Sequence, residues 1–248
     1  MKTPIRNPYG TTKANSVIEK IIPVGSVVSS YGFYSGEVEF HLSNRNRFVS
    51  CHTTSKPIYE FWNTIFQDPN PVAEIASRIL PLRDEKEFSI LQEKWHQFKN
   101  PDVRAAMFFL LNNCSDTGYI SKGAMNTKNY NPVTLSRLKK FVKPENFYLS
   151  LVKDNISHIK TNNNTDFFFL QLEKYRFDIL TDGFNKGPEE EHFVFNDILN
   201  ALQHKKFVIL TKPSKLLARK TNSKVIYIDK YGREAKETNA KEMVVYNE

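Results

Sequence analysis

The order of apolar runs and helical stretches between residues 26 and 66 leaves few folds open to this chain. Ser26 to Ser30 (SVVSS) reads as a short buried strand, Gly32 to Gly36 as a glycine-containing turn, and Val38 to Leu42 as the start of a helix. Phe48 to Cys51 is a second strand, followed by a helix over Lys56 to Phe66 (KPIYEFWNTIF). Pro57 costs that helix nothing, because a missing N–H in the first turn would lack an intrahelical acceptor anyway. Before these, Asn15 to Ile22 has helical spacing and is closed by Pro23 and Gly25. A strand, glycine turn, helix, strand and helix in succession open a doubly wound α/β sheet.

The middle of the chain changes character. Helical segments over Ala73 to Leu80, Glu85 to Lys99, Val103 to Asn113 and Thr134 to Phe141 follow one another without an intervening strand. Between the last two, residues 118–132 (GYISKGAMNTKNYNP) are polar and rich in Gly and Asn, as in a hairpin or long loop. Strands return at Tyr148 to Val152, Phe167 to Leu172, Phe207 to Leu210, Val225 to Ile228 and Glu242 to Tyr246, with a helix over Glu189 to Leu202. The expected organisation is an α/β core over 1–66 and 148–248, carrying a helical insert over 67–147.

Lys and Arg exceed Asp and Glu by 35 to 27, a net charge of +8 that favours a polyanionic partner. The longest apolar stretches, such as Ala105 to Leu111, fall far short of the roughly 20 residues of a membrane helix. The first residues (MKTPIRNPYG) have no apolar run behind their charges, unlike a signal peptide. A soluble protein of the cytoplasm, or of a host cytoplasm if the source is viral, is expected, with no membrane partner. Cys51 and Cys114 lie outside any CxxC spacing, and His52 beside Cys51 has no second cysteine or paired acid nearby. Reduced thiols and no metal site follow.

Five stretches occur in a telling order. Tyr9-Gly10-Thr11-Thr12-Lys13 comes first, then Gly36-Glu37-Val38-Glu39-Phe40-His41-Leu42, then Lys56-Pro57-Ile58-Tyr59-Glu60-Phe61-Trp62. Arg104 to Asn112 follows, with Gly118-Tyr119 and Gly123-Ala124-Met125-Asn126, and the last is Glu242 to Asn247 (EMVVYN). Together they resemble the D12 class, or Dam-type, of N6-adenine DNA methyltransferases over nearly the whole chain. The resemblance implies a Rossmann-like S-adenosylmethionine-dependent methyltransferase sheet with an inserted helical target-recognition domain. S-adenosylmethionine would be the cofactor and double-stranded DNA the partner. Tyr9, Lys13, Tyr34, Gly36 and Thr53 fall where the family contacts the cofactor. In the insert, Lys122, Asn126, Lys128 and Asn129 fall on the hairpin that reaches DNA. Arg137, Lys139 and Lys140, with Lys143, form a basic stretch suited to phosphates, as does Lys212 to Lys224. A solvated face or a turn is the plainer explanation for each.

The departures from the family fall where the chemistry is done. The glycine turn becomes Gly32-Phe33-Tyr34-Ser35-Gly36, so Tyr34 stands in for a glycine, and Ser30 replaces an acid at the end of the first strand. Thr53 stands where a ribose-binding aspartate is expected, and Leu172-Glu173-Lys174-Tyr175 where the family has Asp-Pro-Pro-Tyr. Leu172 cannot accept a hydrogen bond from the adenine amino group, and Lys174 facing inward would repel the sulfonium. Losing one such acceptor costs about 3 kcal/mol of transition-state stabilisation, roughly a hundredfold in rate. The expectation is therefore a catalytically impaired or inactive homologue, of phage or mobile-element type, that binds DNA or serves as partner to an active methyltransferase paralogue. Two alternatives stand beside it: a divergent but active N6-adenine DNA methyltransferase, and an assembly protein reusing the fold without nucleic acid.

Overall fold

The computed structural model describes residues 2–8, 12–79, 82, 84–172, 195–221 and 223–247. In chain order the first half contains α1 (Asn15–Ile21), β1 (Val27–Tyr31), α2 (Glu37–Ser43), β2 (Phe48–Thr53), α3 (Lys56–Gln67), α4 (Pro69–Arg78), α5 (Glu85–Lys94), α6 (Pro101–Cys114) and α7 (Pro132–Lys139). The second half contains β3 (Phe147–Leu151), α8 (Asn155–Thr161), β4 (Phe167–Gln171), α9 (Phe195–Ala201), β5 (Phe207–Thr211), α10 (Lys215–Lys220), β6 (Lys224–Ile228) and β7 (Glu242–Tyr246). The described residues form two compact units. One holds residues 2–8, 55–79, 82 and 84–143; the other holds 12–54, 144–172, 195–221 and 223–247.

The second unit is built on a sheet ordered β3-β2-β1-β4-β5-β7-β6. The ladders among β3, β2, β1, β4 and β5 are parallel, while β7 runs antiparallel to both β5 and β6. Strand order reverses between β1 and β4, the doubly wound arrangement of a Rossmann-like methyltransferase sheet. Every residue of β4 (FFFLQ) and β5 (FVILT) is buried, because a parallel strand covered on both faces has no solvent side. One face packs Tyr31, Phe168, Ile209 and Val245 into a cluster with Ile159, Ile198 and Leu217 from α8, α9 and α10. On the other side of the sheet, the rings of Phe33, Phe40 and Phe147 meet with centroids 4.7 to 6.1 Å apart.

The helical unit is punctuated by capping pairs. Asp68-Pro69, Asn100-Pro101 and Asn131-Pro132 each place a side-chain acceptor at the N-cap and a proline in the first turn. Asn100 accepts from the N–H groups of Asp102 and Val103 at 2.8 and 3.3 Å, and opens α6. From Ala105 to Cys114 that helix is buried on all sides, packed against α3 and α4, with Phe108 stacked on Phe61 at 4.7 Å.

Boundaries moved where propensity and capping disagree. The helix expected from Ala73 starts at Pro69, because Asp68 caps it. The one expected over Glu85 to Lys99 stops at Lys94 and tightens into a 3₁₀ turn over Trp95–Gln97. Of the helix expected over Glu189 to Leu202, residues before 195 lie outside the described set. Two short helices, α8 and α10, were not expected, being too brief to show an apolar period.

Candidate functional site

In a doubly wound sheet a ligand binds outside the carboxyl ends of the strands, at the point where strand order reverses. Here that point lies between β1 and β4, and the turn leaving β1 is its floor. The whole turn is buried: Phe33 and Ser35 are 1% exposed and Tyr34 only 3%. Gly32 and Gly36 have φ of +78° and +72°, which L side chains rarely adopt. A Cβ on Gly36 would also overlap the ring of Phe40 one helical turn on. The glycine is thus needed for α2 to fold back onto the sheet, with or without a ligand.

A carboxyl from α2 meets the end of β1. Ser30 donates through Oγ to Oε1 of Glu39 at 2.8 Å, and Glu39 is fully buried. Its Oε2 has no hydrogen-bond partner among the described residues, and burial pushes its carboxyl up to about 7. The hydroxyls of Ser35, at the turn, and Thr211, at the end of β5, are likewise buried without partners among the described residues. Two further carboxylates hold the segment before α1. Glu37 accepts from the backbone N–H of Thr12 at 3.2 Å, and Glu242 from that of Lys13 at 2.8 Å. Burial raises the pKa of both Glu37 and Glu242. Lys13 is therefore held through its backbone, and its side chain is exposed. Gly232 backs this strap, with its Cβ position 3.0 Å from the Lys13 carbonyl oxygen.

At the end of β2, Thr53 is fully buried and its carbonyl accepts from Val152 at 2.9 Å. The neighbouring His52 points to the opposite face. Its Nδ1 meets Ser150 Oγ at 2.8 Å, and its ring lies 4.1 Å from that of His158, whose Nδ1 meets the Tyr31 hydroxyl at 2.8 Å. Burial lowers His52 to about 4, helped by His158, so it is neutral near pH 7. At the end of β4 the alternation of the strand sends Leu172 and Gln171 to opposite sides. Leu172 packs against the apolar cluster, while Gln171 is buried at 5% exposure. Glu173, Lys174 and Tyr175 lie outside the described residues, as does Tyr9.

In the helical unit, the loop after α6 closes through a bridge between Ser115 and Met125, and Asp116 Oδ1 accepts from the Ala124 N–H at 3.1 Å. Lys122 lies over the Tyr119 ring at 4.2 Å. Asn126 caps a 3₁₀ turn over Thr127–Asn129 by accepting from the Lys128 N–H at 3.2 Å. Its carbonyl oxygen thus has a local task. Lys128, Lys139 and Lys140 are exposed, and Asn129 and Arg137 half-buried.

Sequence reasoning missed Glu39, His158 and Gln171. Glu39 had a signal: it sits among Val38, Phe40 and Leu42 on a helix whose polar side is hard to find. A cleft of about 620 Å³ opens at the opposite, amino ends of β1, β4 and β5, near Ser26, Asn162, Asp166 and Lys205. Its charges serve the scaffold: Lys205 Nζ donates to the carbonyls of Ile159 and Asn162 at 2.8 Å, and Asp166 accepts from the Val27 N–H at 2.7 Å. Among the described residues no three His, Cys, Asp or Glu gather as a metal site, and no helix is long and apolar enough to cross a membrane.

Comparison with protein-family descriptions and with curated protein sequences gives no match. Among solved structures the chain is similar to a TehB-like SAM-dependent methyltransferase from Corynebacterium glutamicum. The identity is 9%, covering 95% of this chain and 87% of that one, with a TM-score of 0.39. The methyltransferase-like fold rests on strand order and direction.

Proposed function

We propose that this protein is a methyltransferase-fold subunit with little or no methyl transfer of its own, which binds double-stranded DNA or an active adenine-methyltransferase paralogue. The observation that carries this reading is the closed floor of the switch point, where the Tyr34 ring is buried in the turn that a cofactor would lie against. The acceptor positions agree with it. Thr53 offers no carboxylate to a ribose, and Leu172 is folded against the apolar cluster instead of facing a base. Were S-adenosylmethionine held, Glu39 and Gln171, with Ser35 and Thr211, would be buried polar groups available to it. Bound there, the cofactor would supply an electrophilic methyl group. The net charge of +8 and the exposed Lys128, Lys139 and Lys140 support a nucleic-acid partner.

One observation favours a second reading, an active but divergent enzyme: Glu39 restores a carboxyl beside Ser30, with one oxygen unused. Calorimetry with S-adenosylmethionine, and transfer of a labelled methyl group to duplex DNA, separate the two. The proposal expects weak or absent cofactor binding and no labelling, together with DNA retention that falls steeply with salt. Turnover by the isolated protein at ordinary enzymatic rates would replace the first reading with the second.

A further inference from the structure

The outer edge of β3 ends the sheet among the described residues, since the strand order begins there with β2 as its neighbour. Natural sheets guard such an edge with lysine, proline or a bulge, because exposed strand backbone pairs readily with another chain. Phe147–Leu151 (FYLSL) contains no charge and no proline, and its ladder with β2 runs unbroken from Phe147 to Leu151. Tyr148 is 60% exposed and Leu151 45%. The parallel ladder also fixes which groups face outward. The carbonyl of Asn146 accepts from Val49, and the N–H of Val152 donates to Thr53, so the even-numbered residues address β2. By alternation, the N–H and C=O groups of Leu149 and Leu151 address the outside.

We propose that this edge is where two copies of the chain associate, β3 against β3 and antiparallel, about a two-fold axis through Leu149. The flanking charges select that arrangement. Leu149 lies midway between Glu145 and Lys153, both exposed. Antiparallel pairing centred on Leu149 sets Glu145 opposite the partner's Lys153, and Lys153 opposite the partner's Glu145. Parallel pairing in register would set each charge beside its own kind, which is unfavourable across strands. The contact is isologous, as a two-fold interface requires: Phe147 faces the partner's Leu151, Tyr148 faces the partner's Ser150, and the two Leu149 residues meet on the axis. Leu149 forms a hydrogen-bonded pair in this register, which agrees with the outward direction of its backbone groups. The sheet continues across the interface, and the exposed ring of Tyr148 is covered.

Sedimentation equilibrium of the full chain over about 1–100 μM reads the outcome directly, because dimerisation obeys mass action. The native protein is expected to reach twice the chain mass. Leu151→Lys, which guards the edge, is expected to leave a monomer with unchanged circular dichroism. Leu149→Pro removes an outward N–H and is expected to do the same, since proline is tolerated on a strand edge. Glu145→Lys is expected to weaken association about tenfold, through the two symmetry-related pairs, and the exchange E145K/K153E to restore it. A native chain that stays single at about 100 μM overturns the proposal. So does a dimer indifferent to Leu151→Lys, or a charge exchange that fails to rescue Glu145→Lys.

Discussion

Glu39 offers the sharpest test of how the switch point is built. Its carboxyl is fully buried, bonded to Ser30 through one oxygen and without a partner for the other among the described residues, and burial lifts it from an ordinary 4.5 to about 7. Below pH 4.5 the group is protonated in both folded and unfolded chains and contributes no difference. Between 4.5 and 7 the unfolded chain loses its proton first, so stability falls as pH rises, by up to about 1.4 kcal/mol per pH unit. Above 7 the cost levels off. The gap between 4.5 and 7 corresponds to about 3 kcal/mol. Glu39→Gln keeps an acceptor for Ser30 and removes the charge, so it should stabilise the α/β unit by about that amount at pH 8 and hardly at all at pH 4.5. Urea denaturation of both proteins across this range, followed by circular dichroism, measures the difference. An E39Q protein less stable than the native one at pH 8, or a difference that ignores pH, would refute a desolvated carboxyl at this position.

Gly36→Ala forces a positive φ on alanine and drives its methyl into Phe40, so a loss of about 2–4 kcal/mol is expected in the same denaturation assay. Replacing Asn100 by Ala removes the acceptor for two N–H groups at the start of α6 and should cost about 1–2 kcal/mol, read as a lower urea midpoint. Changing Lys128, Lys139 and Lys140 together to Ala should weaken duplex-DNA binding at any sequence and flatten the plot of log affinity against log salt by about 2–3. An unchanged slope would place the phosphate contacts elsewhere.

The fold was legible because its signals are redundant. The short aromatic run at 167–169 suits a strand buried on both faces, and the strand, glycine turn, helix and strand order suits a right-handed crossover. The short helices escaped for the opposite reason. α8 (NISHIKT) buries Asn155 and Ile159, too few contacts for a period, and α10 (KLLARK) reads by composition as a basic surface stretch. At the site, the sequence shows Ser30 and Thr53 where the family it resembles has acids. The Glu39 carboxyl left only a faint signal, an acid among apolar neighbours, because an acid in the first turn of a helix has an ordinary explanation as a partner of the helix dipole. Only the packing of α2 against β1 shows Glu39 facing inward. Gln171 was hidden by register: a single residue decides which side of β4 faces the strand ends, and spacing from a motif cannot supply that decision.

The place of β7 in the sheet has a consequence for how the protein is made. It is the last of the seven strands to be synthesised, yet it lies between β5 and β6 and joins them. Its first residue, Glu242, also holds the backbone of Lys13 near the opposite end of the sequence. A nascent chain that has already emerged as far as Ile228 therefore carries β6 without the neighbour it will pair with, and the strap over the first turn lacks one of its two carboxylate anchors. Completion of the α/β unit has to wait until residues 242–246 have cleared the ribosome, and a chain interrupted a few residues earlier would leave two strands without their shared partner.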